Sequence, residues 1–147
     1  MGPGAVLFCC DHNAVRSPMA EGICKKLLGR SVYVQSAGVR HDLEIDGFAV
    51  AVCREMNIEL ERHRSRSLEE MEEWGDQIES FDLIIALSPA AMRHAQEYAR
   101  NAHIDVEYWP VMDPTGLGER REEKMAAYRN CRDDLYARIQ SRFGLAV

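Results

Sequence analysis

A cysteine and an arginine stand six positions apart near the start of the chain, and a serine follows the arginine directly. The residues with this spacing are Cys10, Asp11, His12, Asn13, Ala14, Val15, Arg16 and Ser17. A loop of this length that leads into a helix gathers backbone N–H groups around one concavity, and these donors together with the helix dipole favour an anion such as phosphate. The same setting stabilises a cysteine thiolate, and Arg16 can hold two oxygens of a tetrahedral anion. The spacing therefore predicts phosphoryl transfer to sulfur, with Cys10 as the nucleophile.

A cysteine that merely ends a strand and an arginine on the surface would give the same spacing, so the neighbouring elements matter. Residues Ala5–Cys10 form a short apolar run with β-branched and aromatic members, which is typical of a buried strand. Pro18 favours a helix start, and Ser17 before it is the predicted helix cap. The Cys10 segment is therefore expected at a strand-to-helix turn, where an anion site is physically reasonable.

Strand and helix patterns alternate along the rest of the chain. Strands are predicted over residues 32–38, 81–88 and 104–111, and helices over 46–57, 89–101 and about the last thirty residues. Ser67 and Glu70 have the spacing of a capping box at the start of a short acidic helix. This alternation predicts a three-layer α/β fold, with about four parallel strands flanked by helices, as a single domain over residues 1–147. Such sheets place ligands beyond the carboxyl ends of their strands, which is where the Cys10 loop begins.

The overall composition excludes several classes of partner. The 147-residue chain has 18 basic and 24 acidic side chains and a net charge of −6. Nucleic acid and anionic membranes require clustered positive charge, so neither is an expected partner. No apolar run approaches the ~18 residues of a membrane span, and the first residues lack a signal-peptide pattern, so a cytoplasmic location is expected. The five cysteines include no paired CxxC motifs, and no zinc site is expected.

The stretch VLFCCDHNAVRSPMAE, residues 6–21, resembles the signature of the low-molecular-weight protein tyrosine phosphatases, which is close to VLFVCxGNxCRSPMAE. Three further segments resemble motifs of that family: the SAG segment at 36–38, the HRSRSL loop that starts at His63, and Asp113-Pro114 late in the chain. Their order and spacing agree over nearly the full length. The chain is therefore similar to bacterial members of this family, and the resemblance implies their Rossmann-like fold.

The resemblance implies a phosphatase that hydrolyses phosphomonoesters, above all phosphotyrosine in proteins, through a phosphocysteine intermediate on Cys10. Arg16 would bind the phosphoryl oxygens, and Ser17 would donate a hydrogen bond to the Cys10 thiolate. Asp113 would protonate the departing oxygen and then deprotonate the attacking water. No metal or other cofactor is implied, because Arg16 and the loop N–H groups supply the electrostatics. The expected ligands are a phosphorylated protein or small phosphomonoester, and inorganic phosphate.

A further set of residues is implied to shape the loop and to bind phosphate. Asn13 would hold the loop through side-chain hydrogen bonds, with Ser36 and His63 as its partners. Taken singly, His63 reads as a solvated loop histidine and Ser36 as a strand-end serine, so only their joint order supports these roles. The full implied set is Asp11, His12, Asn13, Ala14, Val15, Ser17, Ser36 and His63.

The chain also departs from the family pattern at three informative positions. His12 stands where the family has glycine, which matters if the backbone there requires a positive φ angle. Val15 replaces the second family cysteine, so the protective disulfide of many members cannot form. Thr115 replaces the aromatic residue that commonly lines the slot for a phosphotyrosine ring. The last departure bears on the substrate more than on the reaction.

Two alternative functions stay open at this point. Thioredoxin-linked arsenate reductases share the fold and the loop, but they need additional resolving cysteines, typically near the end of the third strand. This chain has Ser88 and no cysteine in that stretch. Phosphoarginine phosphatases are also related, and they carry threonine where this chain has Ala14. The second alternative is a regulator that binds phosphate or a phosphoprotein with weak catalysis, which His12 and Thr115 motivate.

Overall fold

Four parallel strands form one sheet at the centre of the molecule. The computed structural model describes residues 2–145. The strands are β1 (Ala5–Cys10), β2 (Tyr33–Gly38), β3 (Leu83–Ala86) and β4 (Asp105–Tyr108), in the spatial order β2-β1-β3-β4. The helices are α1 (Arg16–Leu28), α2 (Gly47–Arg54), α3 (Leu68–Glu73), α4 (Pro89–Ala99) and α5 (Arg121–Arg142). The predicted α/β fold with about four parallel strands is confirmed.

Side chains on the two faces of β1 enter two separate apolar clusters. Phe8 packs on one face together with residues of α1, α2 and α5, whereas Leu7 and Cys9 pack on the other with residues of α3 and α4. Successive side chains of a strand point to opposite faces, so Cys9 lies in the core while its neighbour Cys10 ends at the loop. The helices on both faces complete the three layers that the sequence predicts.

Three predicted strands are longer than the observed ones: β2 by one residue, and β3 and β4 by four residues each. Apolar residues that flank β3, such as Phe81 and Leu87, are almost completely buried but lie outside the strand itself. A continuous apolar run records burial, and burial alone does not distinguish a paired strand from the buried chain next to it. Among the helices of residues 2–145, none is both long and apolar enough to cross a bilayer.

Helix α1 begins two residues earlier than predicted. Its first residue is Arg16 rather than Pro18, and its N-cap is Val15, which makes no capping hydrogen bond with its side chain. The prediction of Ser17 as the cap is wrong, because Ser17 lies in the first turn and its hydroxyl is used by Cys10. In contrast, the capping box of Ser67 is present at the start of α3. The early start of α1 places Arg16 and Ser17 directly beside the loop.

Candidate active site

Cys10 lies at the carboxyl end of β1 and is buried. Its Sγ is 2.9 Å from Ser17 Oγ and 3.4 Å from the Ser17 backbone N, which donates to it. Asn13 Nδ2 donates to the same Ser17 oxygen, which leaves the Ser17 hydroxyl proton to the Cys10 sulfur at 2.9 Å or the Ala37 carbonyl at 3.5 Å. With that proton on the sulfur, two donors stabilise negative charge there, as a nucleophilic thiolate requires.

The other cysteines lie in a different environment. All five are free, and the remaining four are buried within the apolar clusters. Burial raises the pKa of Cys24, Cys53 and Cys131 to about 12. Burial likewise raises the pKa of Cys9 well above its ordinary value. These four thiols are therefore protonated at neutral pH and poorly suited to nucleophilic chemistry.

Asn13 is the centre of the hydrogen-bond network behind the loop. Its Nδ2 donates to Ser36 Oγ at 2.9 Å and to Ser17 Oγ at 2.8 Å, while its Oδ1 accepts from His63 Nε2 and from the Arg66 backbone N, both at 3.0 Å. All four hydrogen bonds that an asparagine side chain can make are thus formed. Asn13 has φ 53°, a left-handed conformation that asparagine tolerates better than most residues. The contacts with Ser36 and His63 are those the resemblance implied.

Two further residues of this network were missed at the sequence level. Ser65 Oγ donates to the Asn13 backbone carbonyl at 2.7 Å, and the Arg66 backbone completes the Asn13 amide. Both lie in the HRSRSL segment, so their closeness to His63 in sequence was the available signal. Burial is the main cause that lowers the pKa of His63, which favours a neutral ring that donates through Nε2 to Asn13.

The position of His12 removes one concern raised by the sequence. Asn13 and Asn57 are the non-glycine residues with positive φ within residues 2–145, so His12 adopts an ordinary backbone conformation. The condition under which the missing glycine would matter, a positive φ at this position, is therefore not met. The side chain of His12 is partly exposed, and its Nδ1 lies 2.6 Å from Asp42 Oδ1. The glycine that the loop does need is Gly38, where a Cβ would come within 2.8 Å of the Asn13 backbone N.

The Arg16 guanidinium is held from behind by main-chain oxygens. The side chain is almost fully buried, and Nη1 donates to the carbonyls of Leu87 at 3.3 Å and Val111 at 3.0 Å. Nη2 lies 3.8 Å from a carboxylate oxygen of Asp11 and 3.8 Å from one of Asp113. A guanidinium fixed in this way presents its remaining donors in a defined direction, as recognition of a tetrahedral anion requires.

Asp11 and Asp113 are each oriented by a neighbouring donor. Ser88 Oγ donates to Asp11 Oδ1 at 2.5 Å and also caps α4, a role that the sequence reasoning did not find. The Thr115 backbone N donates to Asp113 Oδ1 at 3.0 Å, which leaves Asp113 Oδ2 facing Arg16. The side chain of Asp113 is 43% exposed, so this carboxylate can exchange protons with water.

One cavity of about 190 Å³ brings the predicted catalytic residues together. The Cys10 loop contributes Cys10, His12, Ala14, Val15 and Arg16 to its lining, and a later segment contributes Asp113 and Thr115. Leu43, Glu44 and Asp46 also line it; they carry no motif and were not found from the sequence. Ser36 and His63 do not line it and act behind the loop. No group of three or more potential metal ligands among residues 2–145 is arranged to hold an ion.

Comparisons with known proteins point to one family. The family profile described as low molecular weight phosphotyrosine protein phosphatase matches residues 5–142. An arsenate reductase of Bacillus licheniformis is 32% identical over 95% of this chain and 95% of its own length. A low molecular weight protein tyrosine phosphatase structure from T. tengcongensis superposes with a TM-score of 0.75 at 27% identity, covering 95% of this chain and 97% of that one.

A third relative with the same fold is named for a different substrate. An arginine phosphatase structure with a phosphorylated active-site serine has a TM-score of 0.73 at 27% identity, covering 94% of this chain and 92% of that one. Phosphatases and arsenate reductases thus both occur among the relatives, and they share the architecture described above. Given the extent of the profile match and the length of these alignments, the chain belongs to the low molecular weight phosphotyrosine protein phosphatase family.

Proposed function

We propose that this chain is a phosphatase that hydrolyses phosphomonoesters, with phosphotyrosine in proteins as its substrate class. The observation that carries the proposal is the convergence of Cys10, Arg16 and Asp113 on one cavity. These residues supply a nucleophile, an anion clamp and a proton donor, which are the three parts of a phosphoryl transfer through sulfur. The proposed location is the cytoplasm, where the five free thiols stay reduced.

The proposed reaction proceeds in two steps. The Cys10 thiolate attacks phosphorus while Arg16 and the loop N–H groups bind the equatorial oxygens, and Asp113 donates its proton to the departing oxygen. A water then attacks the phosphocysteine, gives its proton to Asp113 and releases inorganic phosphate. The hydrogen bonds from Ser17 stabilise the thiolate that leaves in this second step. Asn13 keeps the loop in shape through both steps.

Arsenate reduction is the second candidate, and the names of the curated relatives favour it. Reduction of arsenate takes two electrons, which in this fold come from a pair of thiols that must meet after the first has reacted. All five cysteines are buried, and among them only Cys10 lines the cavity with Arg16 and Asp113, whereas thiol exchange requires a second thiolate that can reach the first. The burial of the candidate second thiols therefore supports hydrolysis over reduction.

The test measures hydrolysis of an aryl phosphate by the wild type, Cys10→Ser and Cys53→Ala. We expect Cys10→Ser to lose turnover to background while it still binds phosphate, because a serine hydroxyl is not activated in this setting. Cys53→Ala is the matched control and retains turnover. Thiol oxidation that depends on arsenate, without aryl phosphate turnover, would assign the reductase instead. Phosphate binding without either activity would assign the regulator.

The substrate class requires a second measurement. A panel of phosphopeptides that carry phosphotyrosine, phosphoserine or phosphoarginine should show preferential turnover of phosphotyrosine. Ala14 lines the cavity where the phosphoarginine phosphatases have threonine, and this difference supports the aryl ester. Preference for phosphoarginine would keep the reaction and overturn the substrate.

A further inference from the structure

A second groove, of about 440 Å³, lies behind the Cys10 loop. It contains none of Cys10, Arg16 and Asp113, and it is formed by α1, β2, the segment 59–66 and the residue that follows α3. Three of its residues, Ser36, His63 and Arg66, hydrogen-bond to Asn13. The groove is therefore separate from the catalytic cavity and still in contact with the network that shapes the loop. Its basic and aromatic lining consists of Lys25, Arg62, His63, Arg64, Arg66 and Trp74.

The groove is a positively charged site in an acidic chain. Four basic side chains line it, against the two acidic side chains of Glu21 and Glu59. Lys25 is paired with Glu21 at 2.6 Å, whereas Arg62 and Arg64 form no ion pair within residues 2–145. Two guanidinium groups are thus available to an anion, and guanidinium is the side chain best matched to phosphate oxygens.

Trp74 adds an aromatic surface beside these charges. The residue is 47% exposed, although tryptophan is usually largely buried. The guanidinium carbons of Arg64 and Arg66 lie 5.3 Å and 6.0 Å from the centroid of its ring. Exposed indole rings and guanidinium planes are the surfaces on which nucleobases stack. The indole ring and the two arginines that form no ion pair together match a ligand with both a planar base and phosphates.

We propose that this groove is a second binding site, for a nucleoside triphosphate whose base stacks on Trp74 and whose phosphates bind Arg62 and Arg64. The ligand lies next to Ser36 and His63 and therefore acts on the Cys10 loop from behind, through Asn13. Binding in the groove does not depend on which reaction occurs at Cys10.

The first test follows the Trp74 indole N–H resonance by NMR during titration with ATP, with orthovanadate present to occupy the Cys10 loop. We expect a saturable shift of Trp74 and no shift of the buried Trp109. Arg62→Gln/Arg64→Gln should weaken ATP binding by about tenfold or more, because two charge-assisted contacts are lost. Arg93→Gln/Arg100→Gln carries the same change of charge at α4 and should bind as the wild type. Equal affinities of the two double variants would overturn the site.

The second test separates the base from the phosphates. Adenosine and inorganic tripolyphosphate should each bind at least about fivefold more weakly than ATP, since stacking and charge both contribute. Tripolyphosphate that binds as tightly as ATP would overturn the role of Trp74. Because both tests observe binding directly, a protein without aryl phosphatase turnover would still report on the groove.

The third test addresses the coupling to the loop. ATP should raise the pKa of His63, measured on its imidazole proton resonances, because nearby phosphates stabilise the imidazolium. The charged groups that face His63 are Glu21 and Lys25 from α1 and Arg66 from its own segment, and all three are present with and without ATP. An unchanged His63 titration at saturating ATP would overturn the coupling.

Discussion

The two sides of the Cys10 loop are held by different kinds of interaction. The support side, defined as Asn13, Ser36, His63, Ser65 and the Arg66 backbone, is largely buried and joined by short hydrogen bonds. The entrance side consists of His12, residues 39–46, Asp113 and Thr115. It is more exposed, and its contacts are made largely by carboxylates. Buried hydrogen bonds fix one geometry, whereas exposed ion pairs contribute little to stability.

This difference matches where the chain departs from the family pattern. Of the three departures, His12 and Thr115 lie on the entrance side and Val15 lies in the loop itself, while Asn13, Ser36 and His63 on the support side follow the pattern. A loop that must bind a tetrahedral anion needs one shape for every substrate, so changes behind it are costly. Changes at the entrance alter which substrates are accepted, according to the group that their phosphate carries. The exposed chain at the entrance accommodates such changes. Under the proposed function, the support side fixes the shape of the loop, whereas the entrance side carries the proton donor Asp113 and the residues that contact the rest of the substrate.

Replacement of Asp113 tests the chemical part of the entrance side. Asp113→Asn should slow hydrolysis of phosphotyrosine by roughly 10²–10⁴-fold, because the poor leaving group departs without its proton. The loss should be smaller for an aryl ester with a low leaving-group pKa. Kinetics on the two substrates measure the difference. Equal losses on both would mean that Asp113 only orients Arg16, from which it lies 3.8 Å.

Replacement of Asn13 tests the support side. Asn13→Ala removes four hydrogen bonds from a buried network and should lower the free energy of unfolding by about 2–4 kcal/mol. Asn57→Ala is the matched control, because Asn57 is exposed and has φ 60°, so it reports the cost of a left-handed alanine alone. Urea unfolding of both variants gives the comparison. Equal destabilisation would show that the conformation of Asn13, rather than its contacts, is what matters.

Much of the support side was accessible from the sequence, and much of the entrance side was not. Asn13, Ser36 and His63 belong to short motifs whose joint order is informative. Leu43 and Glu44 line the cavity from a segment without any motif. The carbonyls of Leu87 and Val111 that hold Arg16 are main-chain atoms, which any residue type would supply. Sequence patterns report the identity of side chains. They do not predict contacts to main-chain atoms more than seventy residues away, because those contacts depend on how the whole chain folds.

The start of α1 shows how chemistry overrides a local pattern. Ser17 followed by Pro18 is a good capping signal, yet the serine hydroxyl contacts Cys10 and the helix starts before it. At strand β4, the apolar pattern predicts a longer strand than the one that forms. Only four of the eight residues predicted as strand pair with β3. Trp109, next to the end of β4, packs against Phe8 in the core at 6.0 Å between ring centroids and does not reach the cavity.

A new aromatic residue at position 115 tests the specificity part of the entrance side. Thr115→Tyr should lower KM for aryl phosphates about two- to tenfold, since ring-pair contacts contribute roughly 0.5–1.5 kcal/mol. The rate of the chemical step should stay nearly constant, because the backbone N of residue 115 still donates to Asp113. Steady-state kinetics with an alkyl phosphate serve as the control. An unchanged KM for aryl substrates would show that the side chain at 115 does not contact the ring.

The smallest expected effect is a difference in pH dependence between two histidines, one on each side. On the entrance side, His41 Nε2 and Nδ1 lie 2.8 Å from carboxylate oxygens of Glu44 and Glu70, and the hydrogen bond with Glu44 is the main cause that raises the pKa of His41. Its contribution to stability is fully present below its unfolded pKa of about 6.5 and is lost as pH rises through the raised value. Burial lowers the pKa of His63, so its contribution is present above about 6.5 and is lost as pH falls.

Unfolding free energies of the wild type, His41→Gln and His63→Gln between about pH 5 and 8 should resolve these opposite slopes. Glutamine keeps an N–H donor at both positions and does not titrate in this range. His41→Gln should remove a loss of stability on the alkaline side, and His63→Gln should remove one on the acid side. If the unfolding free energies of the two variants change with pH in the same direction, charge is distributed alike on both sides of the loop. Opposite slopes would show that the entrance is held by a protonated histidine while the support depends on a neutral one.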